Sequence, residues 1–411
     1  MFGITNLTNE TGIVVNKKIL VEALMVSVAI LASASAHAQS NVTLYGRINN
    51  GVQFQTGLPH GNAWSAESGG FGESWIGFLG SEDLGGGTHA IFHLETGLNT
   101  QTGSIGNGGL FARAATVGLK SDSLGTLNLG NMGAGEVQQD TWFVDPQFMQ
   151  AFAIQTLVRG RNWSQAGNGF EYTSPALSGL TVKGQYELTN TPGNWNGTSG
   201  GGGSQPSNLG TPQGRSDGVK VQYDGANMVL LAIYDEIRNQ NGQFTNVYVA
   251  SRSATAGATY TIGPVRLYAG FQHLSAPDAS NASYFIPATA ALPGGTSVPT
   301  AVNHEWVGAE WTALQAVTLT GAVYHANANN GNGNATLYTL TGSYALSKRT
   351  SLYTEFGYIH NSSTSNIGLG NGYSDPYGPN VNNDPVNGGA NGSPNYGHGE
   401  FGAFAGISTQ F

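Results

Sequence analysis

The stretch Leu180-Thr181-Val182-Lys183-Gly184-Gln185-Tyr186-Glu187 decides the fold. Leu180, Val182 and Tyr186 alternate with Thr181, Lys183, Gln185 and Glu187. Successive side chains of a strand point to opposite faces, so a period of two describes a strip with one oily and one wet side. The pattern recurs. In Val42-Thr43-Leu44-Tyr45-Gly46-Arg47-Ile48-Asn49 the even positions are apolar or small and the odd ones mostly polar. Ala90, Phe92 and Leu94 alternate with His89, His93 and Glu95, with Ile91 the exception. Val219, Val221 and Tyr223 face away from Lys220 and Gln222, and Val265, Leu267 and Phe271 from Arg266, Tyr268 and Gln272. Val317, Leu319 and Val323 face away from Thr318, Thr320 and Tyr324.

Alternation alone fits a soluble sandwich as well as a membrane barrel. The connections separate the two. Short turns at Asp83–Gly87, Ser121–Gly125, Asp224–Ala226, Gly263-Pro264 and Ser347–Thr350 alternate with long loops around 55–70, 131–168, 189–216, 275–303 and 361–398. Short turns at one end and long loops at the other mark a transmembrane barrel. Lipid also requires every backbone polar group to be paired, which closure achieves and an open sheet does not. The chain ends on Phe411, with Ile407 and Thr409 on the same face.

The expected strands are 42–54, 72–81, 88–98, 112–120, 125–130, 169–174, 180–189, 217–224, 227–236, 252–262, 265–274, 304–313, 316–326, 335–347, 350–360 and 400–411. The reading is therefore all-β: a transmembrane antiparallel β-barrel of 16 strands. An even number returns both ends to one side, and a barrel of this size leaves an aqueous lumen.

Composition agrees. Charged residues make up 9% and there are 62 glycines, whereas a soluble domain carries about a quarter of its residues as charges. Absence of cysteine excludes a disulfide scaffold and a thiolate metal site. Lys17 and Lys18, the apolar run Ile19–Leu31 and the exit Ala36-His37-Ala38 describe a signal peptide cleaved before Gln39. The run is shorter than the roughly 20 residues of a spanning helix, which argues against an anchor. Two segments are expected: 1–38, an N-terminal extension with signal peptide, and 39–411, the barrel domain. Removing 1–38 takes away Lys17, Lys18, Glu10 and Glu22, leaving 13 basic and 22 acidic residues and the charge at −9. That acidity argues against a nucleic-acid partner.

Ser81-Glu82-Asp83-Leu84-Gly85-Gly86-Gly87, leading into Ala90–Glu95, resembles the second hairpin of the general porins of β-proteobacteria. Val42–Arg47 (VTLYGR), Phe111–Leu119 (FARAATVGL), Gly125–Gly130 (GTLNLG), Phe170–Leu180 (FEYTSPALSGL), Ala345–Tyr353 (ALSKRTSLY) and the terminal phenylalanine match the same family. The matches touch both ends and the middle. Each fragment alone is weak, but the combination is specific.

The resemblance implies a Gram-negative outer-membrane protein, a homotrimer of independent water-filled pores for ions and small hydrophilic solutes. Outer-membrane lipid and lipopolysaccharide would surround it. It also implies that the third extracellular loop, about Asn131 to Gln165, folds into the lumen; the loop carries Glu136, Asp140, Asp145, Arg159 and Arg161. Subunits of the family meet through the first and last strands, here near 42–54 and 400–411 with help from the loop at 55–70. Gly402, Ala403, Ala405 and Gly406 are expected to permit close approach there. Family positions that are usually basic hold Trp75, Leu79, Asn128, Asn131, Ser408 and Gln410 in this chain. The arginine ladder behind anion selectivity is thus depleted, and the expectation is weak selectivity, neutral or mildly cation-preferring.

The polar faces nominate Arg47, His89, His93, Glu95, Lys183, Lys220 and Arg266 as pore-lining, and Arg113 joins them by its family-matching position. Mutual satisfaction within a hydrated wall is the competing reading for each. His89 and His93 lie about 13 Å apart along a strand, too far to share a metal, so neither metal nor cofactor is expected. No His-Glu-x-x-His helix or P-loop occurs, and the glycines of 197–203 (GTSGGGG) read as a loop tract. Nothing sharpens Glu305 and Glu310 into a glycosidase pair, and no enzyme is expected. The rival class is a secreted or surface β-rich adhesin or solute-binding protein.

Overall fold

The structure, a computed structural model, describes residues 41–59, 61–105, 109–150, 152–163, 169–187, 213–239, 241–279, 285–286, 295–297, 299–331, 333–369 and 393–411. The expected leader (1–38), the end of the third loop at Gln165 and most of the loops at 189–216 and 361–398 lie outside the described residues.

Sixteen strands form the wall: β1 (Asn41–Leu58), β2 (Ser74–Gly85), β3 (Thr88–Leu98), β4 (Ala114–Ser121), β5 (Gly125–Asn131), β6 (Gly169–Thr173), β7 (Leu180–Glu187), β8 (Gln213–Asp224), β9 (Met228–Asn239), β10 (Arg252–Ile262), β11 (Val265–Ser275), β12 (Ala301–Leu314), β13 (Val317–Ala328), β14 (Ala335–Ala345), β15 (Thr350–Asn361) and β16 (Glu400–Gln410). Each pairs antiparallel with its sequence neighbour, and β16 returns to pair with β1 from Arg47↔Gln410 to Thr56↔Phe401. The sheet is closed, so no edge remains to be satisfied. At the seam, the Gly46 and Phe411 backbones exchange two hydrogen bonds of 3.1 Å. A Cβ on Gly46 would lie 2.6 Å from both the Phe411 ring and the Trp75 carbonyl oxygen, so only glycine lets the Phe411 ring approach the first strand this closely.

One difference from the sequence reading is instructive. The first long connection continues the sheet: β1 runs on to Leu58 and pairs with a short strand, Gly61–Glu67. Trp64 and Phe54 tilt together across this hairpin at 4.5 Å. The Asn-Ala-Trp-Ser-Ala-Glu segment alternates too weakly to announce itself.

Burial runs opposite to that of a water-soluble protein. In β8, Val219, Val221 and Tyr223 are 42%, 40% and 37% exposed, whereas Lys220 and Gln222 are 8% and 5% exposed. Exposed apolar area loses about 25 cal/mol per Å² in water, so a whole wall of it belongs in lipid. A sandwich would bury these residues, and its reading falls here. Exposed Tyr223, Tyr260, Trp311 and Tyr344 lie near the short turns, and Tyr234, Tyr338 and Tyr358 toward the long loops. Amphipathic rings at both ends are the girdles that hold a barrel at the two membrane–water interfaces.

One expectation about the last strand needs correcting. Gly402 and Gly406 share a face with Glu400 and buried Phe404, not with the outward residues Phe401, Ala403, Ala405 and Ile407. A Cβ on Gly402 would meet Phe152 and Leu369, and one on Gly406 would meet Tyr353. Only Ala403 and Ala405 of the four small residues point outward.

Candidate functional site

The segment between β5 and β6 forms 3-10 turns at Gly133–Gly135, Val137–Phe143 and Arg161–Trp163, with one helical turn at Ile154–Leu157. Its apolar side chains lie on the wall face that carries the buried polar residues. They seat on glycines there: Val137 against Gly218, Val144 against Gly257, Pro146 against Gly308 and Phe152 against Gly357 and Gly402. A Cβ at Gly257 or Gly308 would come within 2.6 Å of the seated side chain. Glycine in these strands therefore marks close approach of another chain segment.

Polar bonds lock the same docking. The Trp306 indole donates to the Val144 carbonyl at 2.8 Å, and Gln147 bonds Thr339 and Thr341 at 3.0 and 2.9 Å. Asp145 is fully buried; it accepts from the Tyr324 hydroxyl at 2.5 Å and from the Gln147 and Met149 amides. Burial pushes its carboxyl above the usual carboxylate range, although the hydrogen bonds act against that. Arg161 is 1% exposed and pairs with Asp235 and with Ser251. Arg159, equally buried, stacks 5.1 Å over Tyr248. Glu136 is buried as well and accepts from the Gln138 amide.

Between this segment and the wall lies a cavity of about 380 Å³. Arg47, Trp75, His93, Glu95 and Arg113 line it from β1 to β3 and the approach to β4, together with Glu73. Gly135, Gln139, Asp140, Trp142, Phe148, Gln150 and Trp163 line it from the connecting segment. Arg113 Nε donates to Glu95 at 2.7 Å, and its Nη1 pairs with Glu73. Glu95 also accepts from the Tyr45 hydroxyl at 2.5 Å, beside His93. The guanidiniums of Arg47 and Arg113 lie 4.2 and 5.5 Å from the Trp75 ring centroid. A cation over an indole face is attracted by the ring quadrupole.

Asp140 pairs with lysines of β7 and β8. Lys220 Nζ lies 2.7 Å and Lys183 Nζ 3.3 Å from its Oδ2, and Lys183 also reaches Glu171 at 3.1 Å. Cavity and adjoining ion pairs thus combine Arg47, Arg113, Lys183 and Lys220 with Glu73, Glu95, Asp140 and Glu171, four charges of each sign.

The structure therefore gathers Arg47, Trp75, His93, Glu95, Arg113 and Asp140 in one cavity, with Lys183 and Lys220 beside it. Glu136, Asp145, Arg159 and Arg161 fasten the segment instead. The remaining candidates lie apart. Leu79, 43% exposed, pairs across β2 and β3 with His93. His89 sits opposite Asp83 and Lys120, and Asn128 opposite Glu171. Asn131 donates to the Ala112 carbonyl at 2.9 Å, and Arg266 to Thr259 at 3.2 Å. Sequence reading missed Glu73, Gln139, Trp142, Phe148, Gln150 and Trp163. All but Glu73 lie on the connecting segment, which has no strand period to read, and Glu73 falls one residue before β2 begins at Ser74. No group of acids and histidines with metal-binding geometry occurs among the described residues.

A closed sixteen-stranded sheet, oily outside and charged inside, defines a transmembrane β-barrel of the outer-membrane class. Residues 23–364 match the Gram-negative porin family. The chain belongs to that family: it is an outer-membrane porin. It is 25% identical to an outer membrane porin protein of Bordetella pertussis over 386 residues, spanning 84% of this chain and 98% of that one. Over 355 residues it is 28% identical to outer membrane porin protein 32 of Delftia acidovorans, spanning 84% of this chain and 91% of the other. Among solved structures, the anion-selective porin from Comamonas acidovorans superposes with a TM-score of 0.68 at 22% identity, covering 91% of this chain and 100% of that one.

Proposed function

We propose that the segment from Met132 to Trp163 folds into the lumen and that the cavity beside it is the narrowest part of a passive, weakly selective pore. The carrying observation is the charge balance around that cavity. Fixed charge of one sign concentrates the opposite ion and repels its own, but here Arg113, Lys183 and Lys220 stand at ion-pair range of Glu73, Glu95, Asp140 and Glu171, and Arg47 lines the same cavity as a fourth cation. Such a section discriminates little by sign. One structural relative is named as anion-selective; this chain is proposed to differ through Trp75, Leu79, Asn128, Asn131, Ser408 and Gln410. The expected substrates are ions and small hydrophilic solutes, with no chemical step. Reversal potentials across a planar bilayer in a KCl gradient test the reading: values near zero are expected, and a strong chloride preference would overturn it.

Assembly as a homotrimer is part of the proposal. Val42, Leu44, Val52, Ile407 and Phe411 leave an apolar outer surface on both sides of the seam, suited to a neighbouring subunit. Farther round, beyond the Tyr234 ring, Glu236, Arg238 and Arg252 form an outward charged cluster that fits the phosphate-bearing headgroups of lipopolysaccharide.

A further inference from the structure

We infer that the pore prefers planar aromatic solutes, which slide between a guanidinium-faced wall and an aromatic-faced loop. The inference rests on the channel reading above and names a solute class for it. The wall side of the cavity carries two flat guanidiniums, Arg47 and Arg113, both held over the ring of the same indole, Trp75. The loop side presents Trp142, Phe148 and Trp163. Guanidinium planes and aromatic rings share one property: both stack on a π-face. A planar ring entering the gap meets a stacking partner on each side, whereas a saturated ring of equal size and charge meets only contact area.

Four further observations support this. Charge is balanced around the cavity, so sign does not decide which solute dwells there. The aromatic surface is presented rather than packed away, since Trp142 is 42% exposed beside fully buried Val144. Phe148 and Met149 also have φ of 52° and 54°, a left-handed conformation that side chains other than glycine rarely adopt and that clusters at ligand-handling sites. Because of this kink Met149 is fully buried while Phe148 lines the cavity. The cavity volume, about 380 Å³, falls within the roughly 300–1,000 Å³ of small-molecule sites.

The test uses the full-length mature protein in planar bilayers carrying KCl current. Benzoate and cyclohexanecarboxylate share a charge and nearly a size, and differ in the ring. Benzoate is expected to inhibit the current at about 2–10-fold lower concentration, the range that ring stacking supports. In Trp142→Leu and Phe148→Leu that ratio should fall toward one, and because it is a ratio it is insensitive to any change in open area. Equal inhibition by the two acids in the unmodified protein would overturn the inference and leave the channel reading standing. So would a ratio unchanged in both variants, or glucose inhibiting as well as benzoate. Absence of any KCl current would instead overturn the channel reading, and this inference with it.

Discussion

Asp140 and Asp145 stand five positions apart on one segment, yet their surroundings give them opposite tasks. Asp140 faces Lys183 and Lys220 beside the cavity, so Asp140→Asn leaves two ammonium groups with only Glu171 to balance them. The reversal potential should then move toward chloride. Asp145→Asn should leave it unmoved, because that carboxyl is buried against Tyr324 and two backbone amides. Its effect should be looser docking of the segment, about 1–3 kcal/mol for a disturbed buried hydrogen-bonded group, read as faster proteolysis of the folded protein. Acid should not release the segment through Asp145. Its docked carboxyl binds a proton more readily than an exposed one, so the docked state gains as pH falls and loses as pH rises through the raised value. Current traces at pH 4 with no larger conductance than at pH 7 would bear this out. At this scale the sequence showed which face of a strand a residue takes, but not whether it reaches the cavity: His89, Asn128 and Arg266 are on strands and lie apart from it. Period two alone placed Arg47, His93, Glu95, Lys183 and Lys220 on the wet face. Trp142, Phe148 and Trp163 sit on turns, where direction is set by docking against distant strands, and no local pattern encodes that.

The wall glycines work as a row of notches, each on a different strand and each filled by one side chain of the connecting segment. Filling a notch should evict its occupant. Gly257→Leu and Gly308→Leu are expected to displace Val144 and Pro146, at about 1–3 kcal/mol for an overpacked site, and to raise single-channel conductance if the proposed constriction by this segment holds. An unchanged conductance would mean that the segment does not narrow the path. Strands were the most readable elements, because one oily face and one wet face repeated every two residues mark them without any tertiary knowledge. The hairpin strand Gly61–Glu67 escaped because only Trp64 among its residues is a large apolar side chain, too little to mark an oily face. The glycine notches escaped for the converse reason. A glycine in a strand shows that something approaches, and only the fold shows what.

For the molecule as a whole, the outward apolar surface predicts partition with outer-membrane fractions and a detergent requirement for solubility; recovery as a soluble monomer would contradict the burial pattern itself. The proposed trimer predicts that Ala405→Cys, on the outer face near the seam and in a chain without native cysteine, crosslinks between subunits. Absence of that product would favour monomers. Gly46 and Phe411, meeting at the seam, have a consequence in time. Their pairing joins the first and last strands of the wall, and contacts so distant along a chain form slowly. Every other stave lies beside the one that precedes it in sequence, whereas the first gains its second neighbour only when the last strand closes the ring. Deleting Phe411 should therefore stall the chain at its final step, seen in a pulse-chase as full-length protein that lingers as an unclosed, protease-sensitive sheet.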